Sequence, residues 1–164
     1  MHKPQSELAV PTSVLFVCLG NICRSPTAEG VFRHRLQQAG LADQVRVDSA
    51  GTGAWHVGKA PDERAQDAAA TRGFDLSPLR ARQVRSHDFE DFDLILAMDQ
   101  INLQDLQSLC PVEYQHKIRL LLDYADEAAE REVPDPYYGD GDGFQRVLDL
   151  VENASDGLLS ALRG

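Results

Sequence analysis

A chain of 164 residues is long enough for one domain with a proper core and too short for two comfortable ones. Its formal charge of −10 excludes a nucleic-acid partner, because few cations are free to displace phosphate counterions, and it gives no long-range pull on anionic substrates. No apolar run approaches the ~20 residues of a membrane span, which excludes membrane insertion. The first residues, M-H-K-P-Q-S-E-L-A-V-P-T, lack the apolar core of a secretion signal and read as a flexible tail, 1–12, ahead of a domain over 13–164. Three cysteines, an odd number, point to reduced thiols in a cytoplasmic protein.

Val14-Leu15-Phe16-Val17 is a continuous β-branched and aromatic run, suited to a parallel strand covered on both faces. Pro26 fits the first turn of a helix that follows, on which Ala28, Phe32 and Leu36 recur at fourfold spacing until Gly40 stops it. A second strand is expected over Val45 to Ala50. A helix from about Asp62 to Arg72 presents Ala65, Ala68 and Ala69 as a small-residue face, with Gly73 as its cap. Leu94 to Met98 reads as the third strand, Ile101 to Leu109 as a short helix ended by Pro111, and Ile118 to Leu122 as the fourth strand. An amphipathic helix from about Gly143 closes the chain, burying Phe144, Val147, Leu148, Val151 and Leu158. This alternation predicts an α/β fold: a three-layer, doubly wound domain with a central four-stranded parallel sheet and helices on both faces. Ligands of such sheets bind at the carboxyl ends of the strands, near the switch in strand order.

The first strand ends at Cys18, which opens C-L-G-N-I-C-R-S. A loop from a strand to a helix N-terminus can aim successive backbone N–H groups at one point and so cradle an anion. Gly20 lets the chain bend or take positive φ, and Asn21 is the next most tolerant of that region. Arg24 adds a planar fork matched to two phosphate oxygens. Cys18 lies at the mouth of the cradle, where the same dipoles stabilise a thiolate, and Ser25 can hydrogen-bond its sulfur. The combination suits attack on phosphorus to form a phosphocysteine. A partner acid is sought in V-P-D-P-Y-Y-G, where prolines on both sides restrict Asp135 and two tyrosines offer flat walls. The bland readings are a buried cysteine ending a strand and an acidic surface loop.

Together these stretches resemble the low-molecular-weight protein tyrosine phosphatases. The resemblance rests on V-C-L-G-N-I-C-R-S-P (Val17 to Pro26), V-D-S-A-G-T (Val47 to Thr52), A-R-Q-V (Ala81 to Val84), Met98-Asp99 and D-P-Y-Y-G-D (Asp135 to Asp140), and it extends from about Val14 to Leu162. It implies Cys18 as nucleophile, Arg24 as phosphate clamp, and Asp135 as the acid that protonates the leaving tyrosine oxygen and then the base that activates water. Leu19, Gly20, Asn21, Ile22, Cys23 and Ser25 fall in the family's phosphate loop, and Ser49 matches a serine that supports Asn21. Leu19, Trp55, Tyr137 and Tyr138 fall where the family lines its substrate slot. A deep slot with aromatic walls favours phosphotyrosine over phosphoserine, and Trp55 sits in a glycine-rich loop where an exposed aromatic is otherwise hard to justify. His56 beside it reads as a solvated neighbour.

One position departs from the pattern. Many members carry a histidine two residues before the A-R-Q stretch, bracing the loop asparagine; Leu79 and Arg80 precede Ala81 here, so that brace is absent or supplied otherwise. Members with a second loop thiol imply a reversible disulfide between Cys18 and Cys23, which shields Cys18 from further oxidation. Cys110 reads as structural.

The implied partners are phosphotyrosine-bearing proteins, with phosphate or other oxyanions as ligands of the site; the sequence leaves the oligomeric state open, a monomer being the expectation. No cofactor and no metal is called for. Arsenate reduction on the same scaffold needs a relay pair of cysteines, and Cys110 stands alone. A non-catalytic phosphotyrosine-binding module could dispense with the thiol and the acid, and both are present. Zinc binding by Cys18 and Cys23 lacks further ligands at suitable spacing.

Overall fold

A computed structural model describes residues 12–126, 130–137 and 142–164. Residues 1–11 of the expected tail lie outside the described residues, as does Tyr138, while Thr12 is the first residue of a strand. Strands β1 (Thr12–Cys18), β2 (Val45–Gly51), β3 (Leu94–Ala97) and β4 (Ile118–Leu120) form one sheet, ordered β2-β1-β3-β4, with every pairing parallel. The α/β class and the four-stranded parallel sheet are those expected from the sequence.

Pairing on both edges explains the uninterrupted apolar run of β1. Val14 and Phe16 enter one core with Phe32 and Leu36 of α1 (Arg24–Gln38) and with Val147, Val151 and Leu158. Leu15 and Val17 enter a second core on the opposite face with Phe89, Phe92, Ile95 and Leu106. Helices α2 (Glu63–Ala70) and α5 (Asp142–Arg163) pack on the α1 side. Helices α3 (Asp88–Asp91) and α4 (Gln100–Leu109) cover the other.

The chain leaves β1 toward β2 on one side and returns to β3 on the other. The switch point therefore lies between the carboxyl ends of β1 and β3, at Cys18 and Met98. Two boundaries are shorter than expected. β3 ends at Ala97, and its register with β4 runs out at Ala97 opposite Leu120. With no strand left to pair, Leu121 and Leu122 enter a 3₁₀ turn, Leu121–Tyr124, that keeps both side chains buried under α5.

Candidate active site

The loop after β1 is held by its carbonyls. Thr52 N–H donates to Cys18 O at 2.9 Å, Gly53 N–H to Leu19 O at 2.9 Å, and Asp62 N–H to Ile22 O at 2.8 Å. Thr27 hydroxyl takes the carbonyl of Cys23 at 2.7 Å. A loop whose carbonyls are engaged by surrounding segments leaves its N–H groups for the hollow. Asn21 N–H donates to Cys18 Sγ at 3.3 Å. Helix α1 starts at Arg24 with Cys23 as its N-cap and no side-chain cap, so the first amide donors of that helix also serve the loop.

Positive φ falls on Asn21, at 58°, and not on Gly20. Gly20 is needed for space instead: a Cβ there would meet His56 Cδ2 at 2.9 Å. His56 is accordingly no solvated bystander. It is half-buried, lines the cleft, and places its ring 6.2 Å from that of Tyr137.

Hydrogen-bond direction can be followed to the sulfur. Arg82 N–H donates to Asn21 Oδ1 at 2.9 Å, which fixes the orientation of that amide. The amide nitrogen then donates to Ser49 Oγ at 2.9 Å and to Ser25 Oγ at 2.8 Å. Ser49 donates its own proton to the buried carboxylate of Glu29 at 2.7 Å. Ser25, having accepted from Asn21, directs its hydroxyl proton to Cys18 Sγ at 3.0 Å, its other acceptor being Ala50 O at 3.5 Å. Cys18 thus sits at the end of a chain of hydrogen-bond donors. Burial pushes the Glu29 carboxyl above its ordinary range, against hydrogen bonds from Ser49 and Arg33, with Arg33 as its ion-pair partner. The brace whose usual histidine is missing at Leu79 is supplied here by the Arg82 amide from one side and by Glu29 through Ser49 from the other.

Arg24 is buried, and Asp99 at the end of β3 holds it across the switch point. Arg24 Nη1 donates to Asp99 Oδ2 at 2.6 Å and to Val133 O at 3.0 Å, and Nη2 lies 3.7 Å from Asp135 Oδ2. Burial works against the guanidinium charge, but the Cys18 sulfur, Asp99 and Asp135 outweigh it and hold its pKa above the ordinary value. Asp135 accepts from Tyr137 N–H at 3.0 Å. Burial pushes the Cys23 thiol well above its ordinary pKa, with the Asp62 carboxylate adding to it. Cys18, Cys23 and Cys110 are all free and buried.

A cleft of about 390 Å³ brings together Cys18, Leu19, Gly20, Ile22, Cys23 and Arg24 from the loop with Trp55, His56, Asp135 and Tyr137. Ser25, Asn21 and Ser49 stand behind it. Asp99 and Arg82 entered the sequence reading only as members of the Met98-Asp99 and A-R-Q-V stretches, with no role given, and Glu29 and the pair Asp62–Arg64 were not singled out. Arg64 forks onto Asp62, with Nε to Oδ1 at 3.1 Å and Nη2 to Oδ2 at 3.0 Å, and donates from Nη2 to Tyr137 O at 3.0 Å. Asp99 carries the one legible signal, an acidic residue at the carboxyl end of a buried strand and the start of a helix, where it caps Asn102 N–H at 2.8 Å.

Fold and site together define a class: a doubly wound parallel sheet whose switch point carries a thiol-bearing anion loop. The family model for low molecular weight phosphotyrosine protein phosphatase matches residues 13–164. The chain belongs to that family, whose members are phosphatases. It is 47% identical over 150 residues to a putative low molecular weight protein-tyrosine-phosphatase of Synechocystis, covering 91% of this chain and 95% of that protein. It is 44% identical over 137 residues to the human low molecular weight phosphotyrosine protein phosphatase, covering 82% and 85%. The crystal structure of a protein tyrosine phosphatase from Entamoeba histolytica with Hepes in the active site superposes with a TM-score of 0.90 at 42% identity, over 92% of this chain and 96% of that one.

Proposed function

We propose that this enzyme hydrolyses phosphotyrosine in proteins, and small aryl phosphates, through a phosphocysteine intermediate. The Cys18 thiolate attacks phosphorus in line with the bond to the tyrosine oxygen. As the S–P bond forms, Asp135 gives its proton to the departing phenolate. Asp135, now a carboxylate, takes a proton from water, and the hydroxide cleaves the S–P bond to release phosphate and the thiolate. Arg24 and the loop amides hold the equatorial oxygens, and Ser25 stabilises the sulfur as it leaves.

The observation that carries this reading is the sulfur of Cys18, which receives Asn21 N–H at 3.3 Å and the Ser25 hydroxyl at 3.0 Å in the same cleft as Arg24 and Asp135. The Hepes found in the Entamoeba enzyme, a sulfonate, agrees with a cradle for oxyanions. Cys18→Ser and Arg24→Ala are each expected to abolish turnover of phenyl phosphate and para-nitrophenyl phosphate. Asp135→Ala should slow the reaction by about 10²–10⁴-fold, most for the poorer leaving group. Substantial turnover by Cys18→Ser would end the proposal.

Under peroxide, Cys18 oxidised to its sulfenic acid condenses with the Cys23 thiol, losing water and giving a disulfide. Because Cys23 is held protonated by burial, that closure is slow and follows oxidation of Cys18. Cys23→Ser should keep its turnover but recover poorly from peroxide once thiol is restored. The reading places the enzyme in cytoplasm as a monomer, with a domain over 13–164.

A further inference from the structure

Trp55 is 68% exposed and Leu109 56%, a large aromatic and a large aliphatic left open to water beside the cleft. Exposure of this kind usually accompanies a free side chain, but Trp55 is fixed. A Cβ added to Gly53 would overlap its six-membered ring, so the indole lies directly on the Gly53 backbone. Gly53 in turn is tied to the phosphate loop through its N–H on Leu19 O at 2.9 Å. The ring is therefore packed on the backbone of its own loop and forms a partition between two depressions.

Trp55 lines the phosphate cleft and, again together with Leu19, a second groove of about 280 Å³ that runs to α4. This groove is lined by the apolar residues Leu19, Trp55 and Leu109, by Thr52, Gly53 and Ser108, and by one charged residue, Asp105. Asp105 forms no ion pair among the described residues, and no cation lines the groove.

We infer that this groove binds the side chain of a lysine or arginine lying one or two residues from the phosphotyrosine of a substrate polypeptide. The inference rests on the phosphatase reading and adds a sequence preference to it. An aliphatic stem lies along Leu109 and Trp55 while its cationic head meets Asp105, the way long basic side chains cover apolar surface. A purely aliphatic side chain would leave the carboxylate facing hydrocarbon. An acidic one would meet Asp105 as a like charge, in a protein already at −10. Two residues of extended chain span about 7 Å and a basic side chain reaches further, so a tyrosine in the cleft and its neighbour in the groove can straddle the partition.

Trp55 is the only tryptophan, so its fluorescence reports binding in either depression without any need for turnover. The probes are phosphotyrosine peptides identical except for arginine, glutamine, norleucine or glutamate at the flanking position. They are titrated into Cys18→Ser protein and assayed for kcat/KM with the native enzyme, with para-nitrophenyl phosphate as the reference for each variant. The arginine peptide should lead the glutamine peptide by about two- to fivefold in both readouts, as suits an exposed ion pair, and the lead should shrink in high salt. Asp105→Asn should erase the lead, and Asp105→Lys should reverse it in favour of glutamate. A ranking that ignores residue 105, or norleucine binding as well as arginine, overturns the groove assignment. Failure to hydrolyse para-nitrophenyl phosphate overturns the phosphatase reading instead, and the fluorescence ranking still decides the groove.

Discussion

Removing the guanidinium of Arg64 tests how the loop that carries Asp135, the proposed acid, is held. Asp62 is anchored to the phosphate loop through its N–H on Ile22 O at 2.8 Å, its carboxylate grips Arg64, and Arg64 Nη2 reaches Tyr137 O at 3.0 Å. Tyr137 N–H then holds Asp135 Oδ1 at 3.0 Å. The arginine also lies 5.5 Å from the centroid of the Tyr137 ring and 4.8 Å from that of Phe144. Arg64→Met keeps the length and most of the apolar stem and removes the polar bridge together with the guanidinium's contacts to the two rings. A misplacement of 1 Å costs about 10²-fold in a step that depends on geometry. Asp135 retains its flanking prolines and the Tyr137 amide, so the shift is a fraction of that and the expected loss in kcat/KM for phenyl phosphate is about 5–20-fold. For para-nitrophenyl phosphate, whose leaving group hardly needs the proton, the loss should stay below about twofold. In an Asp135→Ala background Arg64→Met should cost almost nothing more, because the two changes remove one function. Arg64→Lys should restore little, since a single ammonium cannot reproduce the fork that grips Asp62 and reaches Tyr137 together. Equal losses for both substrates, or full additivity with Asp135→Ala, would refute the positioning role.

Other residues give simpler tests. Asn21→Ala removes three hydrogen bonds and puts alanine at φ 58°, so urea denaturation should show a loss of about 3–5 kcal/mol along with most of the activity. Gly157→Ala pits a gain in helix propensity of about 1 kcal/mol against overpacking of about 1–3 kcal/mol. The new Cβ would strike the Tyr124 carbonyl, a backbone atom that cannot swing aside, so net destabilisation is expected and a raised melting temperature would contradict the packing. For Asp88, burial alone would raise the carboxyl, but hydrogen bonds from Arg82 and from Arg85 N–H overcome it and hold it below the ordinary range. A depressed carboxyl contributes stability that is present above its unfolded pKa of about 4 and lost as pH falls through the lower folded value. Asp88→Asn should therefore destabilise near neutrality, with the gap to the native protein closing below about pH 4.

What the sequence revealed and what it hid follow from the range of the interactions. β1 is legible as an uninterrupted apolar run, α1 by the fourfold spacing of Ala28, Phe32 and Leu36, and the loop between them because its donors lie within eight consecutive residues, Cys18 to Ser25. The pairings of Asp99 and Arg64 have no such local signature. Arg24 meets Asp99 across 75 positions and Arg64 meets Tyr137 across 73, so neither pairing leaves a period or a spacing to read. Glu29 sits one residue from Ala28 on a helix face that reads as polar, and its burial becomes visible only once β2 brings Ser49 against it. The short α3 was not expected because a four-residue helix cannot display a repeat. Leu121 and Leu122 were read as strand because their apolar character is real, while the missing ingredient, a pairing partner beyond Ala97, belongs to another part of the chain.

The overall charge of −10 and a site built for a dianion are reconciled by distance. At physiological ionic strength the screening length is about 8 Å, so most of the surface acids do not act on the cleft. Within reach, side-chain charge still does not favour an anion: Asp62, Asp99 and Asp135 stand against Arg24 and Arg64. The decisive charges are partial ones. Loop carbonyls are engaged by Thr52, Gly53, Asp62 and Thr27, the start of α1 is left without a side-chain cap, and Ser25 is oriented by the Asn21 amide so that its hydroxyl proton meets the sulfur. Asp99 does not cancel this arrangement, because its carboxylate is spent on Arg24 Nη1 and on capping α4. It fixes one edge of the guanidinium, and Nε and Nη2 make no hydrogen bond among the described residues. An acidic protein can hold a phosphate here because peptide dipoles, unlike surface charges, act at contact distance and are already turned inward before the ligand arrives.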